Sequence, residues 1–467
     1  MRQLCRLLLE EFVNLCGTGD VGRALEVTRV RPVVVVSEAG HTRSTQAAGE
    51  LVEAPVVLTH RRERKIKHGT AFGVVPINRQ GFGQRGQESV FPLDERLALP
   101  ARSYSYNLQQ KWVTAMARGP FAEATRSVEE STGQKVATAN AENVVVDAAR
   151  DFEPFYRKPP TTSPAKMAPI QVAILDGKGI YIRERVEEAA ELEHAEEELR
   201  RGTKQMATVA AVYNIQPHNR TIDDVVSECH PKPMAPVPVR PRPKDKRIWA
   251  SLEKTKDDVF DEVAEEMTRR DPEHRNTWVC LTDGERALRQ RARLILGALG
   301  PLILILDLWH VLEYLWDAAN ALFGKGTAEA KTWCTKQLRR LLEGDASDVA
   351  RCMRQSATKA GLRGERRKAV DKAASYFLAN KDSMKYHEYI AAGLPIGSGV
   401  GEAAVKNLIK DRLERTGMHW SELVAEAVLK MRAIELCGDT DRYWQFHIGA
   451  EQERLHGNCT WKAVQLN

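Results

Sequence analysis

The chain lacks any apolar run of the roughly 18 residues that a membrane-spanning helix requires. Its longest apolar stretch, "LGPLILIL" (Leu299 to Leu306), is far shorter, so no membrane partner is expected. An organised cysteine pattern is also missing. Eight cysteines, from Cys5 to Cys459, are scattered with no C-x-x-C pair and no histidine at zinc spacing. That argues against a zinc ribbon and suits reduced thiols in a cytoplasm. A secretory leader is not expected either, because "MRQLCRLLLEEFVNLC" sets Glu10 and Glu11 where a leader needs an unbroken apolar core. The segment reads instead as an amphipathic helix. Nor is there a large excess of one charge: the net charge of +6 permits a nucleic-acid partner without requiring one.

What is present is a soluble globular composition, 43% hydrophobic and 28% charged, over 467 residues. That length is too great for one core and implies two to four domains. Residues 1–99 form a mixed region in which "EVTRV" and "PVVVVS" read as short strands. The basic run His60 to His68 is either a solvated edge or a phosphate-contacting arm. Residues 100–157 read as three helices punctuated by Gly119, Pro120 and Gly133, the outline of a helix-turn-helix DNA-binding domain. "KPPTTSPAKMAP" is a linker. "IQVAILDGKGIYIRERV" reads as a hairpin turning at Asp176-Gly177, "EEAAELEHAEEELRRGTKQ" as a solvated helix, and "MATVAAVYNI" as a third strand. "HPKPMAPVPVRPRPKDKR" is an extended loop by its proline density, and "WASLEKTKDDVFDEVAEEMTRRD" is helical. "TWVCLTDG" and "LILILD" are buried strands ending at Asp283 and Asp307, and residues 311–390 are almost wholly helical. Strands alternating with helices give an α/β class with a parallel or mixed sheet.

Three acids stand out by position. Asp176 ends an apolar run, Asp283 ends a strand, and Glu402 opens the helix of "GSGVGEAAVKNLIKDRLERTGMHW". Functional groups of an open α/β sheet gather past the carboxyl ends of its strands. Val405, Leu408, Ile409 and Leu413 make that helix's apolar face, and Glu402 projects at its edge. Each acid also has an ordinary alternative: turn chemistry for Asp176, a helix N-cap for Asp283, an i,i+4 pair with Lys406 for Glu402. Converging carboxylates suit hard divalent cations, and two ions roughly 3.5–4 Å apart clamp an in-line phosphoryl transfer. Asp307 and His310, at i and i+3, are either structural or a support that orients a metal ligand or phosphate. Trp309, Tyr314 and Trp316 are either core packing or a stacking platform for an unpaired base.

The stretches "ILDGKGI", "WASLEK", "RRDPEHRNTWVCLTDG", "ILDLWHVLEYLW" and "GLPIGSGVGEAAVKNLIKDRLERTGMHW" resemble bacterial insertion-sequence transposases of the ISKra group, relatives of the mutator-type DDE transposases. The resemblance spans roughly residues 100–450. It implies a ribonuclease-H-like catalytic core (158–310, with a core helix in 393–435), interrupted by an all-helical insertion (311–392) and followed by a tail (436–467). Asp176, Asp283 and Glu402 then take the catalytic and metal-binding roles, 107 and 119 residues apart. Asp307 and His310 match the family's D-x-x-H motif, and the implied cofactor is two Mg²⁺ ions, with Mn²⁺ as a substitute. Water would cut the phosphodiester at the element ends, and the freed 3′-hydroxyl would attack target DNA. Implied partners are double-stranded DNA (terminal inverted repeats and target) and further copies of the chain, in the bacterial cytoplasm at the nucleoid. Lys406, Lys410 and Arg412 are candidate DNA-phosphate contacts. Where relatives read "GVIEGACRHLVKDRM", this chain has "GVGEAAVKNLIKDRL". Gly401 is expected to loosen the helix start, so Ile at 401 is expected to raise activity. Two rivals use the same residues: a ribonuclease-H-like nuclease or resolvase, and a decayed copy that only binds DNA.

Overall fold

The computed structural model describes residues 1–39, 42–158, 167–183, 203–229, 240–415, 418 and 420–464, with the backbone alone for 31–39 and 42–50. The linker and the solvated helix expected within 159–202 fall largely outside the described residues, as does the proline-rich loop through 239. The chain divides into two units, one of residues 1–157 and 438–467, the other of 158–437. No helix among the described residues is long and apolar enough to cross a membrane.

The first unit opens with α1 (Arg2–Leu15), then β1 (Ala24–Ala39), β2 (Thr42–Val52), β3 (Val56–Leu58), β4 (His60–Thr70) and β5 (Gly73–Gly83). "EVTRV" and "PVVVVS" are one strand, β1, rather than two. β4 and β5 form an antiparallel ribbon whose Val75 and Ile77 pack with Val13 of α1. After α2 (Pro92–Arg96) come α3 (Tyr106–Arg118), α4 (Phe121–Thr132), α5 (Thr138–Ala149) and α6 (Phe152–Tyr156). Ser105 caps α3, and Gly133 ends α4 in the left-handed conformation that favours glycine. The C-terminal segment is structured: helix Thr440–Gln452 packs on α6, and strand Cys459–Val464 pairs with β1. The anchor is Asp151, buried with His447. Its carboxylate accepts from His447 Nδ1 at 2.6 Å and from both terminal nitrogens of Arg454 at 2.6 and 2.9 Å.

The second unit is built on five strands: β6 (Ile170–Ile182), β7 (Thr203–Ile215), β8 (Lys244–Ser251), β9 (Thr277–Thr282) and β10 (Leu302–Leu306), with α7 (Ile222–Cys229) following β7 and α8 (Lys256–Arg270) following β8. Their spatial order is β10-β9-β6-β7-β8. β6, β7 and β8 run antiparallel to their neighbours in turn, while β9 and β10 run parallel to β6. Three expectations fail here. Asp176-Gly177 is no turn: β6 passes straight through it, with Asp176 opposite Val209 of β7. Trp249 to Ser251 close a strand, and the helix starts only at Lys256, fixed by the Thr255–Asp258 capping box. Lys244 to Arg247, expected in a loop, belong to that strand too.

A helix of residues 286–299, α9, follows β9. Then α10 (Leu308–Phe323), α11 (Ala328–Leu342), α12 (Ala346–Lys359), α13 (Gly364–Asn380) and α14 (Tyr386–Ala391) lead back to the sheet. They grip edge strand β10 by its spare carbonyls: Tyr386 donates to Leu306 O at 2.8 Å and Tyr389 to Leu304 O at 3.4 Å. α15 (399–413) and α16 (Glu422–Cys437) complete the unit. α15 contains a π turn at 406–410, beside which Arg432 of α16 donates to the Asn407 carbonyl.

The Asp151 anchor yields a stability test. Burial alone would raise the Asp151 pKa, but the hydrogen bonds of His447 and Arg454 hold it at about 2. Its contribution is therefore complete above the ordinary carboxylate range and is lost as pH falls towards about 2. Asp151→Ala leaves buried His447 without this partner and should cost about 1–3 kcal/mol in urea unfolding at pH 7.

Candidate active site

The register of the parallel strands assembles a row of acids. β6 and β9 pair up to Ile174 with Leu281, and β9 and β10 up to Thr282 with Leu306. Two residues further on β6, and one further on β9 and β10, stand Asp176, Asp283 and Asp307. All three lie at one level, past the carboxyl ends of β9 and β10 and beside the continuing β6. Asp176 is half-buried and takes the Gly177 amide at 2.7 Å. Asp283 is half-buried and takes the Glu285 amide at 2.8 Å, near the N-terminus of α9. The Tyr376 hydroxyl of α13 donates to its carbonyl at 2.6 Å.

Asp307 is only 1% exposed and is saturated with donors. One oxygen accepts from Trp309 N at 3.3 Å, capping α10, and from Ser398 N at 2.9 Å. The other accepts from Ser398 Oγ and from His310 Nδ1, both at 2.7 Å. Ser398 immediately precedes α15, so Asp307 ties the helix carrying Glu402 to the end of β10. Pulled in by this bond, α15 lies against β6. A Cβ on Gly401 would stand 2.5 Å from Ile174 Cγ2, and both residues are buried. Ile174 shares the face of β6 that carries Asp176.

These contacts bring Glu402 into the same electrostatic neighbourhood. Burial raises the pKa of Asp176, the Gly177 amide lowers it, and Asp283 and Asp307 raise it further. Burial also raises Glu402, as do Asp307, Glu313 and Asp176. His310 opposes both shifts. The hydrogen bond to Asp307 pushes His310 itself up to about 9, against the effect of burial and with help from Asp283 and Glu313. Asp283, Asp307 and His310 thus act on Asp176, and Asp307, His310 and Asp176 act on Glu402. Glu313, Ser398 and Tyr376 were missed. Glu313 repeats the i+3 step beyond His310, and Ser398 sits inside the conspicuous "GSG". Tyr376 left no local signal.

Other expectations change. Arg412 is fully buried, its guanidinium 4.7 Å from the Trp420 ring centre, with a hydrogen bond to Met418 Sδ at 3.3 Å. Burial, then Arg432 and Arg415, lower its pKa to about 9. It braces the end of α15 and is not placed to meet a phosphate. Lys406 and Lys410 are exposed, and among the described residues no ion pair joins Lys406 to Glu402. Tyr314 stacks on Tyr376 at 4.0 Å, so protein already occupies one of its faces. Among the described residues no three His, Cys, Asp or Glu side chains stand close enough to form a metal cage by themselves. The donor set is nonetheless that of Mg²⁺ or Mn²⁺, which bind through one or two carboxylates and complete their shells with water and phosphate oxygens.

No family model matches the sequence, and no curated protein does. One solved structure similar to this chain is the Drosophila P element transposase strand transfer complex. The likeness covers 72% of this chain and 80% of that one, with 8% identity and a TM-score of 0.28. A likeness this distant carries no argument.

Two tests follow from the packing. Gly401→Ala, and still more Gly401→Ile, should destabilise the second unit by about 1–3 kcal/mol through overpacking against Ile174, read by urea denaturation. That reverses the gain expected from the relatives' β-branched residue. By NMR, His310 should keep its proton until about pH 9, and in Asp307→Asn should titrate near the ordinary 6.5. Its raised pKa means that its contribution to stability is complete below about 6.5 and is lost as pH rises through about 9.

Proposed function

We propose that the chain is a DNA transposase with a ribonuclease-H-like core, cutting and joining DNA strands by metal-assisted phosphodiester transfer. One observation supports the reading: Asp176 on the central strand is coupled to Asp283 and Asp307 at the neighbouring strand ends, and Glu402 on α15 is coupled to Asp307 and Asp176. The sheet order, with an antiparallel meander continued by two parallel strands, supports the fold assignment. The resemblance of the "DLWH" and "GSGVGE" segments to insertion-sequence transposases supports the activity.

In this reading Asp176, Asp283 and Glu402 would hold Mg²⁺, and the bound metal would supply positive charge for the phosphate and a more acidic water. The remaining work belongs to the chain. Asp307 and Ser398 fix the start of α15 so that Glu402 faces the aspartates. His310, cationic at neutral pH, adds a positive charge beside the carboxylates where an anionic strand would enter. Lys406 and Lys410 line the exposed side of the same helix and attract the phosphate backbone. The helices of 100–157 bind the terminal inverted repeats, and further copies of the chain assemble on the DNA. The Gly401–Ile174 contact supports an active copy over a decayed one, because it gives the glycine a packing role beside Glu402.

The test is cleavage of duplex DNA carrying the sequences that flank the gene, with Mg²⁺ or Mn²⁺. A nick at the element terminus and a joined product are expected. Asp176→Asn, Asp283→Asn and Glu402→Gln should each reduce both by on the order of a hundredfold or more with the fold intact. Undiminished cleavage in these variants would overturn the site. Cut but never joined product would favour the nuclease or resolvase, and metal-independent binding without cleavage the binding-only copy.

A further inference from the structure

Residues 60–68 carry five lysines and arginines and one acid, Glu63, and the acid row of the second unit uses none of them. In β4 they form the outer strand of a two-stranded ribbon. β5 is the inner strand, because its Val75 and Ile77 pack with Val13 of α1 and its Arg79 lies over the Phe91 ring at 4.1 Å. On the other side of β4, residues 60–68 pair with no further strand among the described residues. Arg61, Arg62, Arg64, Lys65 and Lys67 are all exposed along this free edge. Arg61 is paired with Asp20, and on β5 Arg79 is paired with Asp94. Arg62, Arg64, Lys65 and Lys67 have no acidic partner among the described residues.

Charged side chains on a free strand edge ordinarily keep it from pairing with another chain. One or two of either sign serve that purpose. Here the unpartnered four share one sign. Arg64 also stands directly opposite Arg79, a like-charge pair that costs the ribbon stability. Positive charge gathered against that cost is complementary to a polyanion.

The geometry selects which one. By strand alternation Arg62 and Arg64 project to one side of β4, and Lys65 and Lys67 to the other. At about 3.3 Å per residue the row from 62 to 67 is roughly 17 Å long. A straight row suits a rod of evenly spaced charge, and duplex DNA carries one charge per about 1.7 Å of its axis. β4 also ends against the helices proposed to bind the terminal repeats. The Gly69 amide donates to the Ser103 carbonyl and the Ser105 amide to the Gly69 carbonyl, both at 2.8 Å, and Ser105 caps α3. An anionic membrane surface fits less well, because binding there needs apolar side chains beside the cations. The exposed Phe72 and Val74 lie past the row, at the turn of the ribbon.

We infer that β4 grips the phosphate backbone of duplex DNA through Arg62, Arg64, Lys65 and Lys67, next to the stretch held by the helices of 100–157. The inference rests on DNA being the substrate, and it uses neither the acids of the second unit nor a metal. Phosphate contacts fix position without reading sequence, so the grip is the same on any duplex.

Fluorescence anisotropy of the full chain with a labelled duplex of unrelated sequence, in EDTA, should give dissociation on the order of micromolar at about 0.15 M salt. Arg62→Gln/Arg64→Gln/Lys65→Gln/Lys67→Gln should weaken binding by about tenfold or more. It should also lower the slope of log affinity against log salt by about 3, at roughly 0.9 per lost phosphate contact. All four positions are exposed, and unchanged urea unfolding checks that the fold is kept. Lys325→Gln/Lys331→Gln/Lys336→Gln/Lys359→Gln removes the same charge from exposed positions of the second unit and should change affinity and slope far less. Equal losses in the two variants, an unchanged slope in the ribbon variant, or a wild-type chain that leaves duplex DNA unbound while binding vesicles of anionic lipid or neither would each overturn the inference. A chain that binds duplex DNA through the ribbon and never cuts it would fail the transposase reading alone.

Discussion

The second unit depends on one buried carboxylate. Asp307 joins three pieces of chain, the end of β10, the first turn of α10 and the segment leading into α15, and the Leu308 amide adds a bond to the Ile396 carbonyl at 2.9 Å. Removing a carboxylate from water is unfavourable unless its lone pairs are taken up, and here four donors take them up. Two come from Ser398, whose backbone and side chain bind one oxygen each. Such a two-point attachment fixes direction as well as distance. α15 therefore leaves Ser398 along β6, and Gly401 meets Ile174 within one turn.

Parallel strand pairing does the rest of the positioning. Side chains at equivalent places on neighbouring parallel strands share a level and a face. Asp176, Asp283 and Asp307 become neighbours for that reason alone, although 107 residues separate the first two. β10 is an edge strand and would be the weakest part of the row. Its free carbonyls are instead held by Tyr386 and Tyr389, while Tyr376 holds the carbonyl of Asp283. The helices of 308–391 thus connect to the acid row through hydroxyl-to-carbonyl bonds, and their ring stacking at Tyr314 belongs to the same support.

How much of this was legible in the sequence depended on whether the signal was periodic or tertiary. The buried face of α15 was legible, because Val405, Leu408, Ile409 and Leu413 repeat at helical spacing and all are buried. Asp283 and Asp307 were legible as strand ends from the apolar runs that precede them. Asp176-Gly177 was misread because Asp-Gly is a strong turn signal locally, whereas pairing with β7 as far as Ile182 holds the chain extended through it. Arg412 was misread because a basic residue on a helix counts as solvated by default, and only tertiary structure brings Trp420 beneath its guanidinium. Gly401 was misread as a loose helix start because propensity sees backbone freedom. The missing Cβ matters instead for the distance between helix and strand. Ser398 was invisible as a partner, since a serine before a helix ordinarily caps that helix, and this one bonds to a carboxylate 91 residues away.

The electrostatics of the row run against folding. Burial and neighbouring carboxylates make ionisation of both Asp176 and Glu402 less favourable than in water. Of the protein's own cations, His310 acts on both. A core selected for stability alone would replace such acids with apolar or amide side chains of similar shape. The chain does the reverse: it fixes Glu402 beside the aspartates with a buried carboxylate, a two-point serine and a glycine that admits close packing. Local rules broken together, at one place, by residues drawn from distant parts of the sequence indicate a site kept for its chemistry. Under the proposed reading, divalent cations and a phosphodiester bound against them would supply the balance that the protein alone does not give Asp176 and Glu402.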